Sequence, residues 1–288
     1  MQNTVLLTPL VVFFLFSLLP FVIMLSGSLS SDDMLLEKGL SLFPRGLSFE
    51  GYKMLFMFPD DIINSYMLTI GVAVVGTALN IFLCLLLAFV LSDTDYRYRR
   101  LISFVLYFTI LFSPGIIPVY IIVRRYLMLY DTFWILVLFP LLGPGTIFTL
   151  RVYLQSLPSS IFESVRVDGA SEFRILWQIA VPLVKPGISI VAFTVVLGYW
   201  NDANTALLFT DKMVPIARYM SRWQNFIEFL KMVQQGLLPG MTIDPDMPIP
   251  TNTVRYAIGV ITSLPLIIIF LFFQRQFVNS LIAGAIKG

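Results

Sequence analysis

The 288-residue chain has no histidine and a single cysteine, Cys84. Without histidine it lacks imidazole metal ligands and the side chain most used for proton transfer near neutral pH. One cysteine excludes an internal disulfide framework, and its place in an apolar run says nothing about redox compartment. Charge is also scarce: Asp, Glu, Lys and Arg make up 12% of residues, where soluble domains hold about a quarter. A net charge of +2 is too small to suggest a nucleic-acid partner. No G-x-x-x-x-G-K-[ST] phosphate loop occurs, so the chain does not itself hydrolyse nucleotide by that machinery.

What remains is apolar, at 58% of residues, and it is clustered. A membrane-crossing helix needs about 20 mostly apolar residues. Six stretches qualify, at about 5–25, 64–91, 101–123, 133–153, 187–208 and 255–273. The expected fold is all-α: a polytopic membrane protein with six transmembrane helices, residues 1–288 forming one membrane domain. The first stretch follows "MQNT", which carries no positive charge, and its apolar run is longer than a signal-peptide core. It is expected to stay as a span. Pro114, Pro118, Pro140, Pro144 and Pro265 fall inside spans, where they can be ordinary kinks or hinges.

Arg97, Arg99 and Arg100 crowd a short loop, and Arg151, Arg166, Arg174 and Lys185 flank the loop before the fifth span. The positive-inside rule puts these loops in the cytoplasm, and six spans then put both termini there too. Arg124 and Arg125 fall on the opposite face. The outer side would hold two longer segments, about 26–63 and 209–254. In the second, "ARYMSRWQNFIEFLKMVQQG" has helical spacing, and "PGMTIDPDMPIP" is rich in turn formers.

The loop at 158–186 contains "ESVRVDGASEFRILWQIAVPLVKP". It reads as helix, turn, helix. Ser160 and Glu163 have capping-box spacing. Asp168-Gly169 suits a left-handed turn, and Ser171 with Glu172 can start a second helix. There Phe173, Leu176, Trp177 and Ala180 form an apolar stripe, which Pro182 and Pro186 are expected to end. Such a stripe packs on the chain's own spans or faces a partner.

This loop resembles the EAA loop of ABC importer permeases of type I. The matching residues are Glu163-Ser164-Val165, Asp168-Gly169-Ala170, then Ile179 with Pro182, and Pro186. Ser164-Val165 stands where two alanines are usual. "YWNDA" and the closing "QRQFVNSLIAGAIKG" resemble the carbohydrate-uptake branch, including permeases for uronate oligosaccharides such as alginate. The resemblance implies a coupling-helix pair that docks on a separate cytoplasmic ATPase through Glu163, Asp168, Gly169, Ala170 and Ser171. It also implies a second homologous permease, two ATPase copies carrying ATP and Mg, and an extracytoplasmic solute-binding protein. The location would be a bacterial inner membrane. No catalytic residue, metal or cofactor is expected on this chain.

For the solute path, polar residues at membrane depth are the first candidates. Tyr199, Trp200, Asn201, Asp202 and Asn204 could cover sugar faces and bond hydroxyls, or some could hold helices together. Tyr120 and Arg124 near the outer end of the third span are further candidates, and Arg124 with Arg125 could attract a carboxylated sugar. Two rival functions stay open. An ion-coupled sugar transporter needs an intramembrane carboxylate, for which only Asp202 is well placed. A membrane-embedded glycosyl or lipid transferase needs an acidic metal pair, and Asp93 with Asp95 has the spacing. The neighbouring arginines favour an ordinary solvated loop there.

Overall fold

The computed structural model describes residues 2–238, 240 and 251–285. Its helices are α1 (Gln2–Ser28), α2 (Asp32–Lys38), α3 (Glu50–Leu55), α4 (Pro59–Ser92), α5 (Arg99–Leu111), α6 (Ile116–Ile121) and α7 (Phe133–Leu138). They continue as α8 (Pro144–Gln155), α9 (Ser159–Val167), α10 (Glu172–Ile175), α11 (Val181–Asn201), α12 (Ala203–Phe209), α13 (Ile216–Gln234) and α14 (Thr251–Ala285). π-turns at Ile122–Tyr126 and Leu176–Ala180 extend α6 and join α10 to α11.

Among the described residues, four helices are long and apolar enough to cross a membrane: Val11–Ser28, Pro59–Ser92, Glu172–Asn201 and Asn252–Gln274. Arg99–Leu111 and Ile116–Tyr126, bent by 110°, make a fifth span if counted as one. The third and fourth expected spans are thus both interrupted. Pro114 and Gly115, whose φ is +80°, break the third. Pro140, Gly143 and Pro144 split the fourth into α7 and α8. The outer-loop helix expected from "ARYMSRWQNFIEFLKMVQQG" is α13. The turn-rich "PGMTIDPDMPIP" lies outside the described residues apart from Gly240, as do the last three residues of the closing motif.

The chain divides into two compact units, Met1–Asn64 with Tyr219–Ile267, and Ser65–Arg218 with Ile268–Gly288. In the first, α1 lies tightly on α14. A Cβ on Gly27 would sit 2.7 Å from the Tyr256 ring, and one on Gly259 would sit 2.6 Å from Met24 sulfur. Small residues allow this approach, which membrane helices need because lipid supplies no hydrophobic drive between them. The start of α14 is capped from a distance. Asp32 Oδ1 accepts the Asn252 and Thr253 backbone N–H groups at 2.8 and 3.0 Å and the Thr253 hydroxyl at 3.2 Å. These are among the N–H groups a helix start leaves without an internal partner. Asp32→Ala is expected to cost about 1–2 kcal/mol, read as a lower thermal unfolding midpoint in detergent.

In the second unit, one core joins Cys84, Leu85, Ala88 and Leu91 of α4 to Ile147, Leu150 and Leu154 of α8, with Leu176, Ala180, Val184 and Val191. A second core gathers Val72, Ala73, Val123, Ile135, Val137, Tyr199 and Phe209. The break between α7 and α8 leaves carbonyls without helical partners. Buried Asn80 answers this by donating to Leu141 O at 2.6 Å. Irregular backbone at membrane depth survives where a neighbouring helix supplies such a group.

Candidate functional site

The 158–186 loop folds as helix, turn, helix. α9 begins at Ser159 after Pro158, and among the described residues no side chain caps it. The Ser160–Glu163 capping box therefore does not form: the helix starts one residue before Ser160, and Glu163 stays exposed. Its C-terminus closes through main-chain groups. Gly169 N–H donates to Arg166 O at 3.0 Å, and Ala170 N–H donates to Val165 O at 3.2 Å. This is a Schellman closure, which places Gly169 in the left-handed region with φ +78°. A Cβ there meets nothing within 4 Å, so glycine is required by backbone conformation rather than by space. Ser171 caps the next helix as expected, accepting from Arg174 N–H at 3.4 Å.

The second helix does not stop at the prolines. α10, the π-turn and α11 run on as one helix, Glu172–Asn201. Val181 N–H reaches back to Leu176 O across the wider π-turn. The altered register next to Pro182 eases the clash that a proline ring makes with the preceding turn. Pro182 therefore falls in the first turn of α11, and Pro186 lies within it.

The apolar stripe is split. Leu176 and Ala180 are buried, and Trp177 is half-buried, stacked on Phe82 with ring centroids 5.8 Å apart. Phe173 is 63% exposed and Val167, across the turn, 86% exposed. The Glu163 and Asp168 side chains make no hydrogen bond or ion pair among the described residues. Glu172 is different: Arg166 Nε donates to its Oε1 at 2.7 Å, and a second nitrogen of Arg166 reaches Asp93 at 3.3 Å. The Glu172 bond pushes the Arg166 pKa upward. A cleft of about 730 Å³ opens beside the pair, lined by Phe89, Asp93, Asp95, Phe162, Glu163 and Arg166. Asp93 is not half of a metal pair in this arrangement. One oxygen accepts the Asp95 N–H at 2.9 Å and the other faces Arg166.

The candidate path residues do not share one surface. Tyr199 and Trp200 are core residues, 5% and 2% exposed. The Tyr199 hydroxyl donates to Val137 O at 2.9 Å, and the Trp200 ring lies 6.2 Å from that of Tyr66. Neither aromatic ring is presented to a solute in this conformation. Asn201 and Asn204 are exposed. Asp202 sits where α11 ends, and its Oδ1 accepts the Thr205 N–H at 2.9 Å, capping α12. This carboxylate, just past the span-length helix, thus has a structural task.

Arg124 is equally committed. It lies in the π-turn beside the edge-to-face pair of Tyr120 and Tyr130, 5.6 and 4.4 Å from their ring centroids, and donates to the Tyr120 hydroxyl. Such stacking holds a guanidinium by its attraction to the ring faces. The Tyr130 hydroxyl donates to Asp211 at 2.8 Å, a bond that pushes its pKa up to about 12. Next to it, Asp131 accepts backbone N–H groups of Asp211, Lys212 and Met213 at 3.1, 2.9 and 3.4 Å. These bonds hold its carboxyl below the usual range. Tyr130, Asp131 and Asp211 were not foreseen because their partners lie about 80 residues apart in sequence. Arg125 is exposed, with no partner among the described residues.

Residues 96–282 match the model of a family described as binding-protein-dependent transport system inner membrane component. The chain belongs to this family. As a family member it is a membrane permease subunit of an ABC transporter and not an enzyme, ATP hydrolysis residing on a separate subunit. It is 30% identical over 283 residues to the polygalacturonan/rhamnogalacturonan transport system permease protein YtcP of Bacillus subtilis (strain 168), covering 97% of this chain and 96% of that protein. It is 31% identical over 272 residues to protein LplC of the same organism, covering 94% and 90% respectively. A solved bacterial ABC transporter, involved in import of the acidic polysaccharide alginate, contains a chain of similar fold. The TM-score is 0.76 at 26% identity, over 96% of each chain.

Proposed function

We propose that this permease admits oligosaccharides of acidic, uronate type to the cytoplasm by alternating access. It would act as one membrane domain beside a second homologous permease, with two copies of an ATPase that hold ATP and Mg, and a solute-binding protein outside. The observation that carries the coupling role is the exposed turn: Val167 and Phe173 stand open beside the unpaired carboxylates of Glu163 and Asp168. Apolar side chains this exposed on a soluble-facing turn fit a protein partner. Arg97, Arg99 and Arg100 follow the Asp93 loop that Arg166 holds. The positive-inside rule therefore supports a cytoplasmic turn and cytoplasmic termini. The sugar class is supported by the substrates named for the similar proteins, and by Arg125.

Arg124 and Arg125 make separable predictions. A reconstituted transporter should take up trigalacturonate in preference to maltotriose, a neutral trisaccharide. Arg125→Gln should reduce uptake of the acidic sugar about fivefold at low salt and leave the neutral one unchanged, since a free exposed cation acts by screened attraction. Arg124→Gln should lower both together, because it removes the cation that holds the Tyr120 and Tyr130 rings. Equal loss for both sugars in Arg125→Gln rejects charge selection at that residue. A wild-type preference for maltotriose rejects the acidic class.

A further inference from the structure

The exposed ion pairs of Arg166 lie at an unusual junction. Arg166 is in the last turn of α9, and Glu172 is in the first turn of α10, so their pair brackets the Asp168-Gly169 turn. Asp93 belongs to neither helix: it follows α4 directly. Its second oxygen is engaged with Asp95 N–H at 2.9 Å, so the carboxylate cannot swing freely toward or away from Arg166. One further contact joins α9 to α4, and another ties the end of α8 to the end of α4. Phe162 of α9 meets Phe89 of α4 edge to face, with centroids 6.4 Å apart, and Gln155 Nε2 donates to Ser92 O at 3.4 Å. The side chains of Arg166, Asp93 and Glu172 are 42%, 38% and 57% exposed. Ion pairs so open to water add little to folding, so stability does not account for this arrangement.

We infer that Arg166 is a positioning residue that ties the coupling turn to the end of α4, so that a push on the turn moves α4 together with α11. The inference rests on the coupling reading above. Without the tie, the turn would reach α4 through apolar packing, which can slide, and no longer through a directed charge contact. α4 would then follow late or incompletely. α4 carries Asn80, Cys84, Leu85 and Ala88 into the unit's core, so it is an element whose displacement repacks the span bundle. Coupling of this kind needs contiguous contacts with discrete arrangements, and a bracket of one cation by two carboxylates on different elements supplies one.

The discriminating substitution is Asp93→Asn. Asparagine keeps the oxygen that accepts the Asp95 N–H, so the local turn survives, while the charge facing Arg166 is lost and the Arg166–Glu172 pair remains. The transporter is reconstituted with its ATPase and binding protein, using whichever of trigalacturonate and maltotriose the wild type takes up. Expected for Asp93→Asn is unchanged assembly and basal ATP hydrolysis, with about threefold more ATP consumed per sugar imported. Asp93→Glu should restore the wild-type ratio, which a merely structural loss would not predict. Gly169→Pro runs beside them as a control on the underlying reading. If Gly169→Pro uncouples but Asp93→Asn keeps the wild-type ratio, the tie is refuted and the coupling turn stands. If Gly169→Pro is itself normal, the coupling reading fails and takes the tie with it. If Asp93→Asn loses the ATPase subunits, the residue serves docking, and the inference is overturned.

Discussion

Gly169→Pro is expected to reduce sugar-stimulated ATP hydrolysis at least about tenfold while the protein still inserts in the membrane. Two requirements of the turn fail at once. Proline holds φ near −65°, whereas Gly169 sits at +78°. Its ring nitrogen has no hydrogen to give Arg166 O, the bond now measured at 3.0 Å. With that bond gone, α9 and α10 lose the angle that the turn sets between them. The strain falls on a loop rather than on the span cores, which is why insertion should survive. Gly169→Asn is the matched control, since asparagine tolerates the left-handed region and retains the N–H. Near-normal coupling in the asparagine variant, with loss in the proline variant, assigns the effect to backbone shape. Full stimulation in both would remove this turn from the coupling route.

Trp200→Ala should be the most destabilising of the substitutions in the candidate path, by about 3 kcal/mol, because it empties a large buried site. Trp200 is 2% exposed and among the largest fully buried side chains. The expected readings are a lower yield of folded protein and a lower unfolding midpoint, with partial recovery in Trp200→Phe. Asn201→Ala should do the reverse. Among the described residues its exposed side chain bonds only within its own helix, to Leu197 O at 2.9 Å, so stability should hold while uptake falls. A stable Trp200→Ala variant, or an Asn201→Ala variant with full uptake, would break this division between packing and path.

The contrast explains what could be read in advance. Apolar runs of span length, the Asp-Gly turn and the Ser171 cap all depend on neighbours in sequence, and each was legible. "YWNDA" was harder, because its residues are consecutive. Successive helical side chains point about 100° apart, so four in a row cannot share a face. Tyr199 and Trp200 turned inward and Asn201 outward. Pro182 suggested a helix end because the π-turn that absorbs it leaves no compositional mark, and Pro186 is carried inside α11. The commitment of Arg124 was hidden for another reason. One of its rings lies at Tyr120, within a helical turn, but the closer one comes from Tyr130, which Asp211 secures from a distant segment.

The unbroken helix from Glu172 to Asn201 is a lever. At 1.5 Å per residue it measures roughly 44 Å end to end. The π-turn lies close to one end, leaving a short arm of about 9 Å toward the coupling turn and a long arm of about 35 Å toward Asn201. A pivot there would multiply travel about fourfold and divide force by the same factor. A displacement of about 1 Å at the turn would then become about 4 Å beside Asn201. The ATPase would not need to move far to shift the walls of the passage, but it would have to push against a stiff load over a very short stroke.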